Sequence, residues 1–423
     1  MQIIRNDLEL QKFIKKLHRR SFSQPRIETE IKKILYEVAK KGDKALLKYN
    51  KIFDKHTMPI KIPSEEIIKN AKKVPKDVLK SLKFARDRIR KFHKRQLEKS
   101  WHYKEEDIVL GQIIRPIERV GAYIPGGKAS YPSTVLMNII PAQIAGVREI
   151  AVCIPTPFGE LNPAVCAALK LLEINEVYRV GGAQAIGAMA FGTETIKKVD
   201  KIVGPGNIYV ATAKKLVFGE VDIDMIAGPS EILIIADSSA NPKFVASDMI
   251  SQAEHDEMAC SIVITISEKV AEFVKKEILK QLKDLSKASI AKKSLKNFGA
   301  IIIVKSLKDA CEVVNTIAPE HLEIMTENPE KLLPFIKNAG AIFLGHWSPE
   351  PVGDYVAGPN HTLPTSGTAR FFSPLGVYDF IKRSSLIKTG KRGFKKLSEH
   401  IEVLASLEGL QAHANTVRIR KST

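Results

Sequence analysis

Val177-Tyr178-Arg179-Val180-Gly181-Gly182-Ala183-Gln184-Ala185-Ile186-Gly187-Ala188-Met189-Ala190-Phe191 is the stretch that decides the fold. A short apolar run ends in a glycine pair and continues into a helix-length segment, which reads as strand, tight turn, helix. The same unit recurs on either side. Residues 149–154 are followed by 162–172, residues 201–203 by 208–217, and 231–236 opens a further strand. Glycines mark the joins at Gly181-Gly182, Gly204-Pro205-Gly206 and Gly228-Pro229. Strands that are apolar throughout, rather than alternating, are buried on both faces, so the repeat predicts a parallel sheet covered by helices.

The pattern resumes after a helix expected to start at Asn241-Pro242, with Asn as cap and Pro in the first turn. Strands are expected over 261–266, 300–304 and 341–344, and a helix over 308–317. Two α/β units follow, the inner one (roughly 123–231) inserted into the outer one. Residues 1 to about 100 read as mostly helical. In a Lys-rich helix there, Val78, Leu82, Ala85, Ile89 and Phe92 recur at spacings of four and three and predict one buried stripe. After about 380 the chain turns polar and helical, with Ser398 expected to cap a helix running through His413.

At 423 residues more than one core is expected. No apolar run reaches the roughly 18 residues of a membrane helix, and Met1 to Asp7 lacks a basic-then-apolar leader. Cys153, Cys166, Cys260 and Cys311 are scattered in apolar company, which predicts reduced core thiols and a cytoplasmic protein. The formal charge of +19 would suit a nucleic-acid binder. Its lysines spread over solvated helix faces and no nucleic-acid module is recognisable, so a basic surface is the expectation, with neither nucleic acid nor membrane as partner.

Four later segments bear chemistry. Gln252 and His255 lie three apart on an expected helix, so they share a face and could hold a divalent metal or satisfy each other. Asp354 follows a glycine in a loop that also carries Asn360 and His361, and His413 lies near the chain end. Glu320 and His321 stand where a helix ends at Pro319 and an apolar strand begins. An imidazole suits proton transfer near neutrality and a partly buried Glu can activate water, but a solvated edge pair fits as well. The glycine turns at Tyr123-Ile124-Pro125-Gly126-Gly127-Lys128, Gly181-Gly182 and Gly204-Pro205-Gly206 could bring amides to phosphates. No G-x-G-x-x-G fingerprint accompanies them. From the residues alone the reading stops at an α/β protein with a metal and a possible nucleotide.

Taken in order, the segments around Tyr123, Gln184, Asn207, Ser230-Glu231, Gln252/His255, Glu320/His321, Asp354 with Asn360-His361, and Glu408-Gly409-Leu410 with His413 resemble those of histidinol dehydrogenases over about residues 25–418. The resemblance implies oxidation of L-histidinol through L-histidinal to L-histidine with two NAD+ and a zinc ion, ending histidine biosynthesis. It implies Gln252, His255, Asp354 and His413 as zinc ligands that also face substrate, and Glu320 and His321 as the acid/base pair. Ser230, His321, His361 and Glu408 would contact substrate, and Tyr123, Gln184 and Asn207 the NAD. It further implies a homodimer whose tail, with Glu408 and His413, reaches the partner's site.

The fold expected is α/β with two Rossmann-like parallel-sheet domains, one inserted in the other, and helical N- and C-terminal extensions. The expected divisions are 1–24 as N-terminal helical extension and 25–122 with 232–379 as outer domain bearing metal and catalytic residues. Residues 123–231 would be the inserted NAD-binding domain, and 380–423 the tail. A zinc-dependent hydrolase using Glu320 without a dinucleotide stands as the alternative.

Overall fold

The computed structural model describes residues 1–20, 25–126 and 131–422. Gly127 and Lys128 of the first glycine turn lie outside them. The described strands form three sheets, two of them parallel.

The inner sheet runs, edge to edge, Val177–Arg179, Glu149–Ile154, Arg119–Tyr123, Lys201–Val203, Asp222–Ile223. In chain order that is third, second, first, fourth, fifth, the arrangement of a doubly wound fold. The outer sheet runs Gln2–Ile4, Ala300–Ile303, Cys260–Thr265, Glu231–Ala236, His321–Met325, Ala341–Leu344. Without its first member it repeats the same order. All of these neighbours pair in parallel.

The helices fall close to expectation. Asn241 caps the helix Pro242–Ala253 by accepting the Lys243 N–H, and Asn207 caps Ile208–Val217 through the Tyr209 and Val210 N–H groups. The helix Leu307–Ile317 ends at Ala318 in the left-handed region, φ 53°, which turns the chain into the His321 strand.

Several expectations are corrected. The N-terminal extension is helical over Asp7–Arg19 but opens with a strand: Gln2–Ile4 lies beside Ala300–Ile303, and Ile4, Phe13 and Leu17 join the outer core with Leu233 and Ile262. Residues 25–93, expected in the outer unit, pack on the inner sheet. There Ile31, Leu35 and Val38 meet Ile186 and Ala190, and Leu82 and Ile89 meet Val135 and Ile139. The stripe of the helix Lys76–His93 ends at buried His93 instead of Phe92, which is 39% exposed.

Residues after 380 begin with a strand, Ile381–Thr389, paired antiparallel with Ile108–Pro116, which also pairs Trp101–Glu105. Its polar composition hid it, because its strand state comes from a partner far away in the chain. Ser398 lies inside the helix Lys391–Leu407, where its hydroxyl bonds the Lys395 carbonyl. His413 belongs to a separate helix, Gln411–Lys421.

Candidate active site

A crossover helix runs antiparallel to the strands it joins, so its C-terminal turn returns to the strands' amino edge. That geometry gathers the outer residues. Gln252 sits in the last turn of the helix Pro242–Ala253, and His255 in the turn just beyond rather than on the helix itself. Glu320 and His321 follow the helix Leu307–Ile317 at the start of their strand, beside the first residues of the Glu231–Ala236 strand.

Glu231 clamps the pair with its backbone. Its N–H donates to Glu320 Oε2 at 2.8 Å, and its carbonyl accepts from His321 Nδ1 at 2.9 Å. A proton held at Nδ1 leaves Nε2 as the working nitrogen, and Nε2 lies 3.5 Å from Asp354 Oδ1. Glu320 Oε2 is 3.7 Å from His321 Nδ1. Glu320 and His321 are buried, at 7% and 3% exposure. Arg20, with its side chain fully buried, ion-pairs the Glu231 carboxylate behind this clamp.

Charge and burial compete here. Burial pushes the Glu320 carboxyl up to about 8, opposed by His321. Burial opposes charging His321, but Glu320 and Asp354 outweigh it and lift the imidazole to about 10. Burial likewise works against the Asp354 carboxylate, yet His321 holds it well below the usual carboxylate range. His255 is lowered by desolvation and feels both Asp354 and His321, which places it in the same field.

Asp354 lies on a π-helical turn, Val352–Ala357, rather than in open loop. His361 Nδ1 donates to the Asp354 carbonyl at 3.0 Å, so its Nε2 accepts the Thr134 hydroxyl at 3.2 Å. Asn360 Nδ2 donates to the Met137 carbonyl and the Thr362 hydroxyl to Asn138 Oδ1. These bonds join the outer unit to the inner helix Pro132–Ala145, so the two units meet at this site. Ser230 precedes the clamping Glu231.

At the inner sheet's carboxyl edge, the Gly182 N–H donates to the Tyr123 hydroxyl at 3.1 Å, and Gln184 follows in the first turn of the buried helix Gly182–Phe191. Gly204, φ 117°, has no room for a Cβ against the Tyr123 carbonyl. Its turn leads to Asn207 at the next helix start. Tyr123, Gln184 and Asn207 are thereby gathered around two helix N-termini.

Glu408 and His413 are not brought in. Both are exposed, Glu408 in the turn after the helix Lys391–Leu407 and His413 on the helix Gln411–Lys421; the two helices pack against each other, and the first against the strand Ile381–Thr389. Conversely, sequence reasoning passed over Glu350, whose carboxyl lies with His321 and Asp354 in a group of donor atoms within 4.8 Å of one another. It also gave no role to Asp248 or Glu323. A carboxylate inside an otherwise apolar run was the available signal, as in His321-Leu322-Glu323-Ile324-Met325.

The family model described as histidinol dehydrogenase matches residues 17–421. The chain belongs to the histidinol dehydrogenase family. The histidinol dehydrogenase of Aquifex aeolicus is 56% identical over 398 residues, covering 93% of this chain and 92% of that protein. That of Geobacter sulfurreducens is 51% identical over 399 residues, covering 93% of each. The crystal structure of histidinol dehydrogenase from Elizabethkingia anophelis superposes with a TM-score of 0.95 at 39% identity, covering 100% of this chain and 98% of that one. Membership in the histidinol dehydrogenase family makes this chain an oxidoreductase, and the hydrolase alternative finds no support.

Proposed function

We propose that this enzyme oxidises L-histidinol through L-histidinal to L-histidine with two NAD+ and one zinc ion, the closing steps of histidine biosynthesis. The observation that carries the reading is the buried line from Glu320 through His321 to Asp354, fixed by the Glu231 backbone.

The residues fit a zinc ion. Both amide atoms of Gln252 are buried without a partner among the described residues, which is costly unless a ligand satisfies them. His255, which feels the Asp354 charge, and Asp354 itself would complete a nitrogen and oxygen donor set with it. Gln252, His255 and Asp354 of one chain, with His413 from a second copy, would hold the ion. The exposed Glu408 would reach the same site from that copy, and the family's homodimer would thus share its active sites. Zinc, when bound, would orient the imidazole and amine nitrogens of substrate and draw Asp354's charge away from His321, restoring a neutral base.

The carboxyl edge of the inner sheet fits NAD, with Tyr123, Gln184 and Asn207 around two helix N-termini that favour phosphate. NAD+, when bound there, receives each hydride. The unit 123–231 is accordingly the NAD-binding domain in this reading, and the outer unit carries metal and catalysis.

His321 accepts the alcohol proton at Nε2 as the first hydride leaves the carbinol carbon. Glu320 then removes a proton from the water that adds to the aldehyde. His321 returns its proton to the carbonyl oxygen as the water adds, and so is free to take the hydrate's proton as the second hydride departs. Ser230, His361 and Glu408 hold substrate, and the closed surroundings of Glu320 and His321 keep the aldehyde from bulk water. The free, buried cysteines suit a cytoplasmic enzyme.

The test is NADH formation from L-histidinol and NAD+ by purified protein, before and after chelation and zinc restoration. Two NADH per histidinol, lost with chelator and recovered with zinc, is the expected result. No NADH from folded, zinc-loaded dimer would overturn the reading.

A further inference from the structure

Three elements converge on the outer site, and each carries a second buried acid one structural repeat from its site residue. On the helix Pro242–Ala253, Asp248 lies one turn before Gln252. On the strand His321–Met325, Glu323 is two residues beyond His321, hence on the same face. Ahead of the π-helical turn, Glu350 is four residues before Asp354. These acids are 8%, 1% and 2% exposed.

The acids also touch. Glu323 Oε1 accepts the Glu350 backbone N–H at 2.7 Å. The Glu323 and Asp248 carboxyls are hydrogen-bonded to each other, which two carboxylates can do only when one carries a proton. Glu323 Oε2, buried with no N–H or hydroxyl donor among the described residues, is the atom left for it. Burial pushes both carboxyls above the usual carboxylate range, so the pair holds one proton between Glu323 Oε2 and Asp248.

We infer that Glu323 is a positioning residue that ties the Gln252 helix to the Asp354 turn, sharing a proton with Asp248 at Oε2 and accepting the Glu350 N–H at Oε1. It rests on the zinc reading above, since the residues it positions are proposed ligands. The bond pair sets the distance between two donors that come from segments about a hundred residues apart in sequence. A glutamate is needed only for its shape and its proton, so an amide can replace it: Gln donates from Nε2 to Asp248 and accepts at Oε1 from Glu350.

The test is the zinc dissociation constant of the full-length protein, measured by competition with a chromogenic chelator, alongside thermal melting of the chelated protein. Glu323→Gln is expected to bind zinc like wild type and to keep its kcat. Glu323→Leu and Asp248→Ala are expected to weaken zinc about 10–100-fold, with zinc-free melting separating that loss from global destabilisation. Weakening by Glu323→Gln to the level of Glu323→Leu would mean the site needs a charge at 323, and wild-type zinc binding by Glu323→Leu would mean it needs nothing there. Either overturns the inference. Should Glu323→Leu fail to fold, Asp248→Ala and Glu323→Gln remain decisive. His255→Asn serves as the control: if it retains zinc, the ligand reading itself fails, whatever the 323 variants do.

Discussion

The two parallel sheets have the same strand order and are used at opposite ends. On the inner sheet Tyr123, Gln184 and Asn207 gather at the carboxyl edge, where helices begin; on the outer sheet Gln252, His255, Glu320 and His321 gather at the amino edge, where helices finish. Helix N-termini carry partial positive charge and free N–H groups, while C-termini carry partial negative charge and free carbonyls. One edge is therefore suited to the phosphates of a dinucleotide, the other to a cation and a charged imidazole. A single αβ repeat supplies both environments, depending on which edge is used.

The sharpest way to break this contrast is at the outer edge. His321→Asn should lower kcat about a thousandfold, the loss of a general base, while zinc content and NAD+ affinity stay near wild type. Metal analysis with steady-state kinetics checks it, and loss of zinc would make His321 a ligand rather than a base.

A second test asks whether the outer edge is complete in one chain. The tail bearing Glu408 and His413 stands away from it and exposes Leu404 and Leu407, at 58% and 82%. His413→Asn should lose zinc and activity. Co-refolding it with His321→Asn should restore about a quarter of wild-type activity, since half of randomly formed dimers are mixed and one of their two sites has both an intact body and an intact tail. No recovery would place His413 outside a shared site.

Within the acid/base pair the expected effect is smaller and selective. Glu320→Gln should leave the alcohol step near wild type and slow the aldehyde step by on the order of a hundredfold. Early NADH yield would then approach one per histidinol, and equal loss of both steps would remove Glu320 from water activation.

The smallest effect belongs to the inner edge. Asn207 Oδ1 caps a helix through two N–H groups, so Asn207→Ala should cost about 1 kcal/mol of stability and raise KM for NAD+ with kcat little changed. Asn207→Asp keeps the cap. If it restores stability but not KM, the residue serves the cofactor as well as the helix.

Much of this arrangement was legible in the chain. The apolar runs, glycine joins and Asn caps specify parallel strands and their helices locally, so most strands of both sheets were foreseen with ends within about a residue, while Gln2–Ile4, Arg119–Tyr123 and Asp222–Ile223 were not. Glu320, His321, Gln252 and His255 were legible because each stands at a helix end, where backbone signals are strong. Glu323 and Asp248 were not, since an acid inside an apolar run acquires its meaning only from the acid it meets. The strand Ile381–Thr389 was hidden for the same reason: its strand state is supplied by Ile108–Pro116, more than 260 residues earlier.

By itself, then, the sequence determined the local periodicities, the strand and helix types, and the residue chemistry at their ends, because these depend on neighbours a few positions away. Only the tertiary structure decided which edge of each sheet is used, that the first four residues complete the outer sheet, and that helices 25–93 cover the inner one. It alone decided that Glu231's backbone holds Glu320 and His321 and that Glu408 and His413 stand apart from them. Those outcomes rest on contacts between distant segments, whose energies depend on burial and pairing that no local pattern encodes.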